Sequence, residues 1–235
     1  RFIQLSTVEH HPQHSWRPID VDGVLHFGGG WLGMFDGSSV VEHGFGLSTE
    51  VTATPGSGSG GGLTAGSYSW AVVPEWFDAR GNRHLGSYYA RAATLSAAHN
   101  SASISWPTIA HTLKDGVRAP DIRFAVYRTG PDGTLMQRVD DPLTPIVNST
   151  GSDTITWSDT ATEVFRAAGE VIYSNGEDQN VMPPAPAHMT LAGDRLYLAA
   201  LEGMPYDVSV SKLRVGGAVA FTDGGGMSVE ASGGP

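Results

Sequence analysis

The chain has no cysteine among its 235 residues. A disulfide framework, a thiol nucleophile and a cysteine-based zinc site are excluded, because each requires that residue. Charge is also scarce: Asp, Glu, Lys and Arg make up 16%, against roughly 25% in ordinary globular domains. Long helices with charged faces are therefore not expected. Cations are the scarcer sign, with 14 Lys and Arg against 24 Asp and Glu for a formal charge of −10, and only Lys114 and Lys212 are lysines. A protein that grips nucleic acid needs surplus cations, since phosphate neutralisation dominates that affinity. Gripping is disfavoured, whereas an acidic surface past which nucleic acid slides fits this balance. No apolar run approaches the roughly 18 residues of a membrane span, so no membrane anchor is expected, and no signal-peptide pattern opens the chain. The first residue is Arg1 and the last stretch, GGGMSVEASGGP, is Gly-rich; the chain is expected to be a piece of a longer one.

What the chain has in abundance is glycine, at 31 residues. Many glycines follow Asp or Asn, at Asp22-Gly23, Asp36-Gly37, Asp115-Gly116, Asp132-Gly133, Asp223-Gly224 and Asn175-Gly176. These dipeptides supply the positive φ angles that tight hairpin turns require. Between them lie runs rich in β-branched and aromatic residues: Tyr68–Phe77, Ser103–Trp106, Ile122–Tyr127, Thr154–Trp157 and Arg195–Leu198. Several alternate with period two, as half-buried strands do. The one helical window, Ser158–Ala168, is weakened by Thr160 and Thr162. An all-β protein is expected.

Residues 1–55 hold three short apolar runs joined by Gly turns, and 56–65 are Gly/Ser-rich, as flexible linkers are. Residues 66–160 carry about seven strand candidates, which suits a β-sandwich. Residues 161–235 contain a Pro-rich connection, MPPAPAH, and then short strands again. The first and last segments share a strand–turn–strand pattern resembling propeller blades on either side of an inserted domain. A single irregular β domain accounts for the pattern equally well.

Candidate chemistry is thin. His10, His11 and His14 could hold a transition metal, but Pro12 breaks any helix and adjacent strand residues face opposite ways, so surface-loop histidines are the better reading. Gly28–Gly33 matches G-x-G-x-x-G in form, but Asp36-Gly37 follows at once and no helix can open there, as a dinucleotide site requires. Gly56–Gly60 reads G-S-G-S-G, which lacks the central serine of a G-x-S-x-G nucleophile elbow and lies in the Gly/Ser stretch. Neither Asp20/Asp22 nor Asp140/Asp141 shows a full calcium loop, and Asn148-Ser149-Thr150 is a glycosylation acceptor only in a protein secreted from a eukaryote. Glu75 and Asp78 could form the carboxylate pair of a glycosidase, although Asp78 sits where an Asp caps a hairpin turn. Trp70, Trp76, Trp31, Tyr88 and Tyr89 are the candidate stacking platforms for a carbohydrate; Trp70 and Trp76, six apart, share one strand face, where core packing is the usual role. No catalytic residue, cofactor or metal is assigned, and the chain is not expected to be an enzyme.

One resemblance runs through most of residues 23–221. VLHFGGGWLGMFDGSSVVEHGF, LTAGSYSWAVVPEWFDARGNRHLGSYYARAATL, FAVYRTGPDGTLMQRV and MPPAPAHMTLAGDRLYLAALEGMPYDVSVSKL follow in order the strand-and-turn signatures of tailed-bacteriophage virion proteins. The arrangement resembles tail proteins of the nozzle or tail-tubular type, departing from them at Gly86-Ser87-Tyr88-Tyr89. That resemblance implies a virion protein built as a β-propeller with an inserted fibronectin- or immunoglobulin-like sandwich. It implies a homo-oligomeric ring, a hexamer in the family, set around the channel through which DNA leaves. Its partners would be other tail proteins: the portal- or adaptor-side ring, the fibres or the tip. The other reading is a carbohydrate- or receptor-binding module of a tail tip or fibre.

Overall fold

The computed structural model describes residues 18–28, 30–46, 49–57, 61–114, 122–149, 151–173, 180–214, 218–221 and 226–228. The architecture is all-β: the described residues form four antiparallel sheets and one short helix. No helix among the described residues is long and apolar enough to cross a membrane.

The first sheet is a meander of β1 (Ile19–Val21), β2 (Val24–Phe27), β3 (Gly33–Phe35) and β4 (Val40–Glu42), each paired with the next. Asp22 and Gly23 close β1 onto β2 with φ of 49° and 79°, the mirror-image turn their side chains tolerate. Ile19, His26, Met34 and Val41 lie opposite one another across the sheet. They therefore share a face with Val21 and Val24, and all but Ile19 are fully buried.

The middle of the chain forms two sheets. One is built on the long β6 (Gly66–Phe77), with β10 (Arg123–Arg128) along one side. On its other side β8 (Arg91–Leu95) pairs with its first half and β7 (Arg83–Leu85) with its second. The two-residue strands β11 (Gln137–Arg138) and β12 (Ile146–Val147) extend β10. The other sheet is β5 (Thr52–Gly56), β9 (Ser101–Pro107) and β13 (Thr154–Asp159), with β9 central.

Alternate residues of β6 feed two cores. Trp70, Val72 and Trp76 join Ile104, Trp106, Phe124 and Val126 in the main cluster, while Ala71 and Val73 join Leu85, Ala125 and Tyr127 in another. Burial on both faces explains why this strand reads as a nearly unbroken apolar run. The helix α1 (Glu163–Ala167) starts later than the sequence window, because Ser158 and Asp159 belong to β13 and Thr162 is the N-cap. The Thr162 hydroxyl accepts from the Phe165 amide at 3.2 Å. The residue that weakened the helix window is the one that starts the helix.

Within the Gly/Ser stretch expected as a linker over 56–65, Gly56 and residues 61–63 pack against other segments of the chain, while residues 58–60 lie outside the described residues. Gly56 closes β5, whose partner is β9 rather than the first sheet. The Gly62 and Leu63 amides donate to the carbonyls of Thr160 and Asn100. A Cβ on Gly61 would stand 2.0 Å from the Asn100 carbonyl oxygen. Glycine is present there because another backbone passes too close for any side chain. Residues 161–173 also stay with the middle unit, where the Arg138 amide donates to the Glu170 carbonyl and that of Ile172 to Met136.

The last sheet is a second four-stranded meander: β14 (Pro186–Ala192), β15 (Arg195–Leu201), β16 (Met204–Val210) and β17 (Gly226–Ser228). Its Leu196, Leu198 and Leu201 pack with Val219 and Phe221 against Val21 and Leu32 of the N-terminal region. Backbone bonds join the same two regions. The Phe45 amide donates to the Asn180 carbonyl at 2.9 Å and the Met182 amide to the Phe45 carbonyl at 3.0 Å. The chain leaves this two-ended body after Phe45 and returns to it at Asn180.

Candidate functional site

Trp70 and Trp76 are fully buried. The Trp70 indole donates to Asp159 at 2.8 Å, and Asp159 also binds the buried Arg128 at 2.8 Å. The Trp76 ring lies 5.5 Å from that of His84. Neither tryptophan can meet a sugar; burial of both faces of β6 makes them core. Trp31 is half-buried against Phe27, and Tyr88 is half-buried against Tyr173 with ring centres 5.8 Å apart. Tyr89 alone of the five is widely exposed, at 65%. The expected platforms do not form one surface.

Glu75 and Asp78 do not face each other across an open cleft. Glu75 is buried between Arg83, at 3.0 Å, and Arg138, at 3.4 Å, and Arg138 also holds Asp140. Asp78 accepts from the amides of Arg80 and Asn82 and from the Asn82 side chain, and contacts His84 at 3.3 Å. Burial alone would raise its pKa, but the hydrogen bonds from His84 and Asn82 prevail and hold it at about 2. One carboxylate belongs to an ion network and the other closes a turn. His10, His11 and His14 lie outside the described residues, among which no three His, Asp or Glu side chains gather to hold a metal.

Two assemblies appear that sequence reasoning missed, both where the first sheet meets its neighbours. In the first, His26 of β2, His43 just after β4 and His84 of β7 are all buried. The rings of His26 and His43 are 5.3 Å apart, and His43 sits edge-on to Phe221 at 5.3 Å. Among the described residues, the ring nitrogens of His26 and His43 have no hydrogen-bond partner of good geometry. Burial, and then the proximity of His84, lower the His26 pKa to about 3, against weaker opposing pulls from Asp20 and Asp78. His43 is held well below the usual range by burial, His26, His84 and Lys114, with the Val219 backbone acting in the opposite sense. Both rings are neutral where the first sheet, the middle unit and the C-terminal region meet.

The second assembly is a strap over residues 107–114 that runs from the end of β9 back to β4. The Asn148 side chain pins its start, accepting from the Ile109 amide and donating to the Ile109 carbonyl. Glu42 pins its end, accepting from the Thr112 hydroxyl and the Leu113 amide. Lys114 is wholly buried, with its ammonium 2.7 Å from the carbonyls of Glu42 and Gly44, 2.9 Å from the Glu42 carboxylate and 5.2 Å from the centre of the Phe45 ring. Burial lowers its pKa, opposed by Glu42. Beneath the strap lies a partly open cavity of about 400 Å³, lined by Glu42, Phe45, Gly46, Thr49, Glu50 and residues 107–112. The scarcity of lysine was the one sequence signal for this region: with only two in the chain, Lys114 stood out. The spacing of Glu42, Asn148 and Lys114 gave no sign that they meet.

No family model, curated protein or solved structure matches this chain.

Proposed function

We propose that the chain is a structural component of a bacteriophage tail, of the nozzle or tail-tube-extension type, which closes into a ring around the DNA channel and attaches other tail parts. The observation that carries this reading is the contact between the first and last sheets of the chain. Two four-stranded meanders, β1–β4 and β14–β17, share one core and one set of backbone bonds, with the middle unit inserted between Phe45 and Asn180. Four-stranded antiparallel meanders are what propeller blades are made of. The middle unit, with its two sheets around a shared core, serves in this reading as the inserted fibronectin- or immunoglobulin-like sandwich. This is the plan that the sequence resemblance implies.

Charge placement supports the same reading. Arg83, Arg128, Arg138, Arg166 and Lys114 are spent on internal ion pairs with side chains mostly buried. Among the described residues, the exposed acids Asp20, Asp22, Glu50, Asp132, Asp141, Asp153, Asp194 and Glu202 outnumber the exposed cations Arg80, Arg91 and Lys212. A channel wall of this kind repels phosphates and lets DNA pass without binding it. The reading includes no catalytic step, since Glu75 and Asp78 are both committed to structural partners. Light scattering on the full-length protein tests it. A mass that is a fixed multiple of the protomer is expected, and a monomer at all concentrations, alone and with its neighbouring tail ring, would contradict it.

A further inference from the structure

We infer that the cavity beneath the 107–114 strap is a docking pocket for an arginine or lysine side chain presented by a basic partner protein. Its floor and walls are apolar, from Phe45, Pro107, Ile109 and Ala110, and it lies at the junction of the first sheet and the middle unit. Pockets of several hundred Å³ at such junctions are the usual places for ligands. Two carboxylates line it, and they differ. Glu42 is saturated by Thr112, Leu113 and Lys114. Glu50 is exposed at the rim and pairs with no cation among the described residues.

Among the described residues no lysine or arginine lines the cavity, where His111 is the one basic side chain; Lys114, at the end of the strap, is wholly buried and held by Glu42 and Gly44, so no fixed positive charge there favours an anionic guest. An alkyl chain ending in a cation matches an apolar trough ending in one free carboxylate. The strap is pinned at both ends, so little ordering opposes binding. Charge complementarity selects the source: a second copy of this chain carries −10 and exposes few cations among its described residues, whereas a basic neighbour is attracted to the whole acidic surface. The pocket stands or falls independently of ring formation.

The test is a titration of the full chain with N-acetyl-arginine amide, using N-acetyl-norleucine amide as the uncharged control and following backbone amide resonances. Millimolar binding is expected, with shifts confined to residues 49–50 and 108–112. Glu50→Gln should weaken it about fivefold, as loss of a partly exposed charge-assisted contact does, while Glu202→Gln leaves it unchanged. Ala110→Trp, which fills the cavity from an exposed position, should abolish it. Equal binding of the norleucine control, or equal loss in the Glu50 and Glu202 variants, would overturn the assignment. So would self-association of the chain that Glu50→Gln abolishes, because the guest would then be a second copy.

Discussion

At the scale of single residues, the groups with the largest consequences are ones whose partners lie far away in sequence. His26 and His43 are neutral in the fold but titrate near 6.5 when unfolded. Below that pH the unfolded chain takes up protons that the folded chain refuses, so stability is complete above about pH 6.5 and falls as the solution is acidified. The loss is on the order of 1 kcal/mol per pH unit for each ring, down to about pH 3 for His26. Urea denaturation between pH 7 and 4.5 should show this slope, and His26→Leu should flatten it by about half; an unchanged slope in the variant would remove the histidines from the explanation. Lys114 acts in a different way. Replacing it with Met leaves Glu42 and two carbonyls without their cation, which should cost about 3 kcal/mol or more in denaturant midpoint analysis. None of this was legible beforehand. A histidine in VLHF or VEHGF looks the same whether its ring meets solvent or another imidazole.

At the scale of elements, much of the strand pattern was readable because it is written locally. Tyr68–Phe77, Ile122–Tyr127 and Thr154–Trp157 each fall on a strand or within one residue of it, and Asp22-Gly23 forms its turn. Trp70 and Trp76 share a face, as spacing alone required, and that face is core. The failures came where composition misleads. Gly and Ser over 56–65 suggested a chain with nothing to pack, yet at Gly61 and Gly62 a backbone without side chains packs close against Asn100 and Thr160. Gly61→Ala should therefore cost about 2 kcal/mol, because the Asn100 backbone has to move; a thermal shift within a degree of the parent would show that the stretch yields freely. Thr162 marked a boundary that was mistaken for a defect within the helix.

At the scale of the whole molecule, the unit that matters is discontinuous in sequence. The first sheet packs on the middle unit through Val24, Met34 and Val41, and on the C-terminal region through Val21 and Leu32. A chain ending at Tyr173 loses the second of these contacts while keeping the main core. It should retain the near-ultraviolet signature of its buried tryptophans yet bind a hydrophobic dye that the parent excludes; absence of dye binding would mean that the two ends do not depend on each other. Sequence could only suggest this closure from two similar strand–turn patterns, since pairing across more than a hundred residues leaves no local trace. The all-β class followed from turn density, while the joining of the ends came from the fold. The acidic surface likewise needed the fold, because composition does not say that Arg83, Arg128, Arg138 and Arg166 are spent on internal ion pairs.

We propose that the first and last sheets are blades of a ring whose exposed acids face passing DNA. Electron cryo-microscopy of the assembled full-length protein tests it most directly. The account predicts a closed ring with the exposed carboxylates lining a central channel. A monomer, or a ring whose channel is lined by arginines while the carboxylates face outward, would contradict it.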